Sequence, residues 1–153
     1  MSVRWLDNSR VLKEAVRSAQ EAGLKRGANV YRNAVIRWIR DWHGYLTTLG
    51  NIGDFYRDGG IQFISVGPIE SGSDPFIRVG SSWPVHRYWE LGHHNLFTRH
   101  FERDERWRPA YEESREQILA AYMRGFTQAV RDAGFDTRGI GAVSSGDSGE
   151  AAS

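Results

Sequence analysis

Histidine and glutamate side chains are concentrated in one short stretch of the chain. This group comprises His86, Glu90, His93 and His94, with His100 shortly after them. Imidazole and carboxylate groups are common ligands of zinc, so the alternative hypothesis for this chain is a small metal-dependent hydrolase or nuclease. The strict His-Glu-x-x-His helix motif is absent, and His94 is directly adjacent to Asn95, whereas histidine–asparagine–histidine nucleases separate these residues along a β-hairpin. The sequence therefore predicts no metal ion and no cofactor.

Two other kinds of catalytic centre can be compared with the sequence. Ser81 and Ser82 precede His86, but a serine nucleophile with a histidine base also needs a group that orients the base. The segment 50–60 is rich in glycine, yet it lacks the Lys-Ser/Thr ending of a phosphate-binding loop and the dinucleotide fingerprint. The chain has no cysteine, which excludes thiolate catalysis and cysteine-ligated zinc. We therefore expect a protein that is not an enzyme and has no catalytic residues.

Aromatic residues are unusually abundant, with 6 Trp, 6 Tyr and 7 Phe in 153 residues. Such side chains are enriched both in cores and at the centres of protein interfaces. The segment 83–107 holds many of them and is irregular and charged, so we expect the loop 92–108 to lie across a neighbouring subunit. The candidate subunit-interface residues are Trp83, Tyr88, Trp89, Glu90, Phe97, Phe101, Trp107 and Arg108.

Charge and hydropathy limit the remaining partners. The formal net charge is +1, so the chain lacks the basic excess of a dedicated DNA-binding domain. Arg26, Arg37 and Arg40 form a stripe that makes contact with a polyanion or an acidic partner a third hypothesis, to be tested by the salt dependence of DNA binding. No signal peptide and no apolar run of membrane-spanning length are present, so we expect a soluble protein made in the cytoplasm, without a membrane partner.

The N-terminal part of the chain has the periodicity of a long helix, from about Asn8 to Trp42. Its apolar residues Tyr31, Val35, Trp38 and Trp42 lie on one helical face, opposite a polar stripe that includes the three arginines. Gly23 and Gly27 interrupt the pattern, so two helices hinged there and one bent helix are both open.

The middle of the chain indicates strands. Segments 61–66 and 76–79 predict a β-hairpin with a long loop at 67–74, and segment 85–91 is either a third strand or a short helix. The sequence thus predicts an α+β fold with a small antiparallel sheet between two long helices.

The C-terminal helix has the clearest boundaries. Pro109 suits its first turn, Glu112 and Glu113 suit the positive end of its dipole, and Gly134 with Phe135 predicts a Schellman motif at its end. Its apolar stripe is Tyr111, Ile118, Tyr122, Phe126, Ala129 and Ala133. We expect the core to pair this stripe with the Tyr31–Trp38 face across the sheet, and the glycine at 125 to mark the close approach of another backbone. Residues 1–136 are predicted to form one domain, and residues 137–153 a flexible, disordered tail.

Two short motifs resemble one protein family. The segments Tyr88-Trp89-Glu90-Leu91-Gly92 and Arg108-Pro109-Ala110-Tyr111-Glu112 are similar to an aromatic-x-Glu-x-Gly turn and an Arg-Pro-Ala-aromatic-acidic helix start. These occur in phage head–tail joining and tail-completion proteins, the group related to the lambdoid minor tail protein Z. The loop between the motifs is charged, where that family often has a short Pro-Phe segment.

The resemblance implies a structural virion protein. Its members have a long N-terminal helix, a few strands and a final helix, and they act in the neck or tail of the particle. The expected protein therefore forms a ring from copies of itself, contacts other neck, connector or tail-tube proteins, and touches DNA only in the lumen of the ring. Such a protein is assembled in the host cytoplasm and resides in the virion.

Overall fold

The computed structural model describes residues 8–47, 59–94, 99–103 and 105–138, and in these ranges the α+β prediction is confirmed. A long helix, α1 (Asn8–Thr47), is followed by a short 3₁₀ turn (Ile61–Phe63) and a hairpin of β1 (Ile64–Glu70) and β2 (Phe76–Ser81). Then come helix α2 (Pro84–Leu91), a minimal hairpin of β3 (His93–His94) and β4 (Phe101–Glu102), and helix α3 (Trp107–Asp132). Phe97, and all but the first two residues of the predicted tail, lie outside the described residues.

Helix α1 is one continuous helix of 40 residues, so the alternative of two hinged helices is wrong. The helix continues through Gly23 and Gly27 because α3 packs against it at these glycines. A Cβ on Gly27, for example, would be 3.4 Å from the carbonyl oxygen of Ile118 on α3. The polar stripe is exposed as predicted, including all three arginines, while Val35 is fully buried.

The β1–β2 hairpin starts later and extends further than the sequence indicated. Strand β1 runs through residues 67–70, which were predicted as loop, and a bulge between Val66 and Ile69 accommodates Pro68. Proline has no N–H to donate to the ladder, and a bulge is one of the few positions in a strand that tolerate it. The loop is therefore shorter than predicted, and the two strands pair from Ile64↔Ser81 to Glu70↔Phe76.

Segment 84–91 is a helix, so its interpretation as a third strand is wrong. Pro84 is its first residue, where the missing N–H is not needed, and Trp83 precedes it with an extended backbone. Gly92 ends it with a positive φ of 85°, and its N–H donates to the Tyr88 carbonyl over 2.8 Å. The short β3–β4 pairing follows at once, with His94 opposite Phe101.

Helix α3 ends as the sequence predicted. The N–H of Phe135 donates to the Val130 carbonyl, and that of Gly134 donates to the Arg131 carbonyl, which are the two bonds of a Schellman motif. The φ of Gly134 is 87°, the left-handed conformation expected at this position.

The two long helices pack directly against each other in antiparallel fashion, and the β1–β2 hairpin packs on α1. The prediction of a sheet between the helices is therefore wrong. The central buried cluster joins α1, β1 and α3 through Ala34, Val35, Ile39, Ile64 and Ala110. Tyr111 and Ala133 are exposed, and the face of α3 that is buried comprises Ala110, Ser114, Ala121, Gly125 and Val130. Small residues occupy this face because the helix backbones approach closely, as the contacts of the helix glycines show.

Candidate functional site

Helix α2 carries four of the residues that the sequence singled out, His86, Tyr88, Trp89 and Glu90, and its two sides separate them. His86 is buried and Trp89 and Glu90 are half-buried, so these side chains face the body of the protein. Arg87 and Tyr88 are exposed. The helix therefore has an inner side that organises the fold and an outer side that is exposed.

His86 is almost completely buried, with 3% of its surface exposed. Its Nε2 lies 2.8 Å from the carbonyl oxygen of Gly59, and its Nδ1 lies 2.7 Å from the hydroxyl oxygen of Ser81. A neutral imidazole satisfies both contacts, because Nε2–H donates to the carbonyl and Nδ1 accepts from the hydroxyl. Burial lowers the pKa of His86, and the hydrogen bond to Gly59 opposes this effect only partly.

The structure thus brings together the serine and the histidine that the sequence placed five residues apart. The Ser81 oxygen also accepts a hydrogen bond from the backbone N–H of Trp83 over 3.1 Å. The carbonyl of Gly59 fixes the other side of the imidazole. These contacts tie residue 59, the end of β2 and the start of α2 to one another.

Tryptophan rings surround this histidine. Trp83 is 8% exposed and meets the imidazole edge to face at a centroid distance of 5.1 Å, and Trp89 lies 5.2 Å from it. Trp107 approaches from α3 at 6.1 Å. Trp83 was predicted to be an interface residue, but its ring is inside the subunit, packed over Gly60, and is removed from the candidate contact residues.

The Glu90 carboxylate caps the N-terminus of α3. One oxygen accepts hydrogen bonds from the backbone N–H groups of Arg106 and Trp107 at 2.9 and 3.1 Å, and the other accepts from that of Arg108 at 2.9 Å. The first N–H groups of a helix have no partner within the helix, and a negative charge there is also favoured by the helix dipole. Glu90 therefore takes the place that the sequence assigned to Glu112 and Glu113, which lie beyond the first turn.

Trp107 joins the cap to the core. Its carbonyl accepts a hydrogen bond from the Tyr31 hydroxyl over 3.1 Å, and the two rings meet edge to face at 6.1 Å. Burial, followed by the nearby Glu90 carboxylate, raises the pKa of Tyr31 to about 12. Trp107 packs against the central cluster and is half-buried, so it contributes to the fold, and its role as a subunit contact stays a prediction.

Three apolar side chains remain on the outer side of this region: Tyr88, Leu91 and Phe101, which we call the α2 patch. They are exposed by 56%, 60% and 57%. Tyr88 and Leu91 are three residues apart and share a helix face, and the Phe101 ring covers Gly92, where a Cβ would lie 2.2 Å from the ring. Leu91 was missed by the sequence analysis, although its spacing from Tyr88 could have indicated it.

The remaining predicted site residues lie on α1 and at the start of α3. Arg108 is exposed and pairs with Glu112 at 3.0 Å, which raises the pKa of its guanidinium. Arg26 and Arg40 are exposed on α1, and Arg37 is 4.0 Å from Glu113. The three arginines line one side of α1 as predicted.

The histidine–glutamate group does not converge in the described ranges. Among those residues, no group of three or more histidine and acidic side chains lies close enough together to hold a metal ion. His86 bonds to the Gly59 carbonyl and the Ser81 hydroxyl, and Glu90 bonds to backbone N–H groups. His94 is exposed, with its ring 5.5 Å from that of Phe101. The side chain of His93 is outside the described part of the chain.

An open groove of about 420 Å³ lies between β2 and α2. Four consecutive residues, 79–82, form one side, and Pro84, Arg87 and Glu90 form the other. The Trp107 ring contributes to its lining. The groove thus combines strand backbone with apolar side chains and an exposed arginine.

Comparisons with family models, with curated proteins and with solved structures find no match. In the parts of the chain that the structure describes, no helix is long and apolar enough to cross a membrane.

Proposed function

We propose that this chain is a structural virion protein of a tailed phage or phage-like particle. In this proposal it forms a neck or tail-completion ring that joins tail to head, from copies of itself and in contact with other neck, connector or tail-tube proteins. The observation that carries the proposal is the hydrogen bonding of Glu90 to the start of α3. The glutamate belongs to the first motif of the resemblance and Arg108 to the second, so a contact between them gives a physical reason for both motifs to occur in one chain.

The α2 patch supports the proposal. Tyr88, Leu91 and Phe101 are large apolar side chains that remain exposed beside the cap. Aromatic residues at the centre of an interface typically contribute most of its binding energy. A head-to-tail contact made through such a patch closes into a ring when the rotation between neighbours is a simple fraction of a full turn.

The arginine stripe fits the same assembly. Arg26 and Arg40 are exposed on one side of α1, and the chain as a whole has a formal net charge of only +1. A narrow stripe without a general basic excess suits contact with DNA that passes through a lumen, rather than capture of DNA from solution.

The experiment compares two leucines of equal exposure. Leu91 is 60% exposed in the α2 patch, and Leu119 is 59% exposed on α3. The unchanged chain should form a closed ring, measured by light scattering and electron microscopy. Leu91→Glu should give a folded monomer because it buries an unpaired charge in the contact, whereas Leu119→Glu should still form the ring. A monomeric parent chain at every concentration, or equal loss in both variants, contradicts the proposal.

The metal-dependent alternative has its own test. Purified protein is analysed for bound zinc, manganese and iron, and its melting is compared with and without a chelator. Under our proposal no stoichiometric metal is found and the chelator leaves the melting temperature unchanged. A tightly bound metal at one ion per chain would replace the structural interpretation with the enzymatic one.

A further inference from the structure

Within the described residues, one edge of strand β2 is paired with no other strand, and this edge faces the groove. The N–H of Ser82 donates to the Phe63 carbonyl over 3.2 Å, so this pair is hydrogen-bonded. In an antiparallel ladder, bonded and non-bonded pairs alternate, so Ile64↔Ser81 and Val66↔Val79 are non-bonded pairs. The peptide groups of Ser81 and Val79 therefore point away from β1.

A contact on the opposite side of the hairpin supports this assignment. The Ile64 carbonyl accepts a hydrogen bond from Nε of Arg32 over 3.0 Å, which requires it to face away from β2. The outer edge of β1 is thus partly covered by α1 and is also distorted by the bulge at Pro68. Within the described residues, β1 is the only strand that pairs with β2.

The groove has the components of a strand-addition site. An extended segment placed beside β2 would bond to the peptide groups of Val79 and Ser81, and its side chains would contact Pro84 and Trp107. Peptide recognition between a strand edge and a helix is a recurrent mode in which the backbone provides affinity and small pockets provide specificity. A two-stranded sheet also gains stability from a third strand.

We infer that residues 139–143 of a neighbouring copy add to the edge of β2 in this groove. This segment, Gly-Ile-Gly-Ala-Val, places Ile140 and Ala142 on one face of a strand and glycines on the other. Its small side chains allow its backbone to approach the edge of β2 closely. The inference rests on the proposed function only in that the occupant comes from a second copy of the chain.

The segment cannot fill the groove of its own subunit. Trp107 at the groove is the first residue of α3, whose 26 residues span about 39 Å. The centre of the segment, Gly141, follows the end of α3 at Asp132 by nine residues, which reach at most about 32 Å when fully extended. The turn at Gly134 shortens this reach further, so the occupant must come from another chain.

Cross-linking tests the contact directly, because the chain has no cysteine. Full-length Ser82→Cys and Ala142→Cys proteins are mixed and treated with a short bis-maleimide, so that a mixed dimer forms only between chains. A bound segment is held at a high local concentration, and we expect roughly tenfold or more product than from the control mixture. The control replaces Ser82→Cys with Gly72→Cys, which is in the hairpin loop, where an added Cβ meets nothing within 4 Å.

Proline variants test the backbone contact. Val79→Pro in the Ser82→Cys chain removes an outward N–H without removing a β1–β2 bond, and it should abolish the cross-link. Val66→Pro, at the opposite position on β1, should leave it intact. Gly141→Pro and Ile140→Pro, made separately in the Ala142→Cys chain, test the segment side should Val79→Pro fail to fold. Neighbouring N–H groups of a strand point to opposite edges, so one of these two must face β2.

The outcomes separate this inference from the proposed function. A ring without the cross-link overturns the inference and leaves the ring proposal standing. So does a cross-link that survives Val79→Pro, or that survives both Gly141→Pro and Ile140→Pro. A proline-sensitive cross-link from a chain that forms no ring supports the inference and contradicts the proposed function. Product no greater than in the Gly72→Cys control overturns the inference whatever the oligomeric state.

Discussion

Gly23 on α1 and Gly125 on α3 meet at the crossing of the two long helices. A Cβ on Gly125 would lie 3.0 Å from the Cα of Gly23 and 2.8 Å from the carbonyl oxygen of Ala22. Both contacts are with backbone, which cannot move aside as a flexible side chain can. The distance between α1 and α3 is therefore set by the absence of side chains at these two positions.

We expect Gly125→Ala to destabilise the protein by about 1–3 kcal/mol, because the methyl group forces the helices apart. This cost should exceed the gain of about 1 kcal/mol that alanine brings to a helix interior. Gly27→Ala is the matched control, since its Cβ would meet α3 at 3.4 Å and should be tolerated. Denaturant unfolding measures both free energies. A Gly125→Ala protein at least as stable as the parent would mean that the crossing is looser than described.

The fold class could be predicted from the sequence because long helical periodicity and helix ends are local signals. The Schellman end at Gly134 and the close approach at Gly125 were both confirmed. The position of the hairpin could not be predicted, since it depends on which part of the α1 surface packs against α3 and which part packs against the hairpin. The glycines of the crossing are weak helix formers in sequence, although they are the reason why the helices can pack directly.

Glu90→Ala should cost about 1–3 kcal/mol of stability, because three backbone N–H groups at the start of α3 lose their acceptor. Glu112→Ala is the control. Its exposed ion pair with Arg108 is one turn away, and such pairs contribute at most about 1 kcal/mol. The free energy of unfolding and amide exchange in the first turn of α3 are the measurements. Equal losses of unfolding free energy in the two variants would show that the Glu90 cap does not contribute significantly to stability.

The site could be predicted only in part. The sequence identified Glu90 and Trp107 as important, yet it assigned both to an interface, because a cap between residues 17 positions apart has no local signature. The burial of Trp83 is likewise a tertiary effect, since its ring is packed over Gly60 and against His86. Exposure of Tyr88 and Leu91 follows from the helical conformation of α2, which the alternating pattern at 85–91 did not distinguish from a strand.

His86 should make stability depend on pH. Its pKa is lowered in the folded protein by burial, so the unfolded chain binds the proton more tightly. The contribution of His86 to the free energy of unfolding is fully present above the unfolded pKa of about 6.5. It decreases as the pH falls through the lowered pKa of the folded protein. His86→Gln should reduce the slope of stability against pH between pH 5 and 7 (roughly this titration range). An unchanged slope in His86→Gln would assign the pH dependence to other groups.

Substitution of Trp107 should affect folding, whereas substitution of Phe101 should affect assembly. Trp107 packs on the central cluster and against Tyr31, so Trp107→Ala should lower the free energy of unfolding by about 3 kcal/mol. Phe101 is 57% exposed, and Phe101→Ala should leave a folded subunit that associates more weakly by about 2 kcal/mol, or roughly thirtyfold per contact. Chemical denaturation measures the first effect and sedimentation the second. A Phe101→Ala chain that assembles as tightly as the parent would exclude Phe101 from the contact and leave Tyr88 and Leu91 as its remaining candidates.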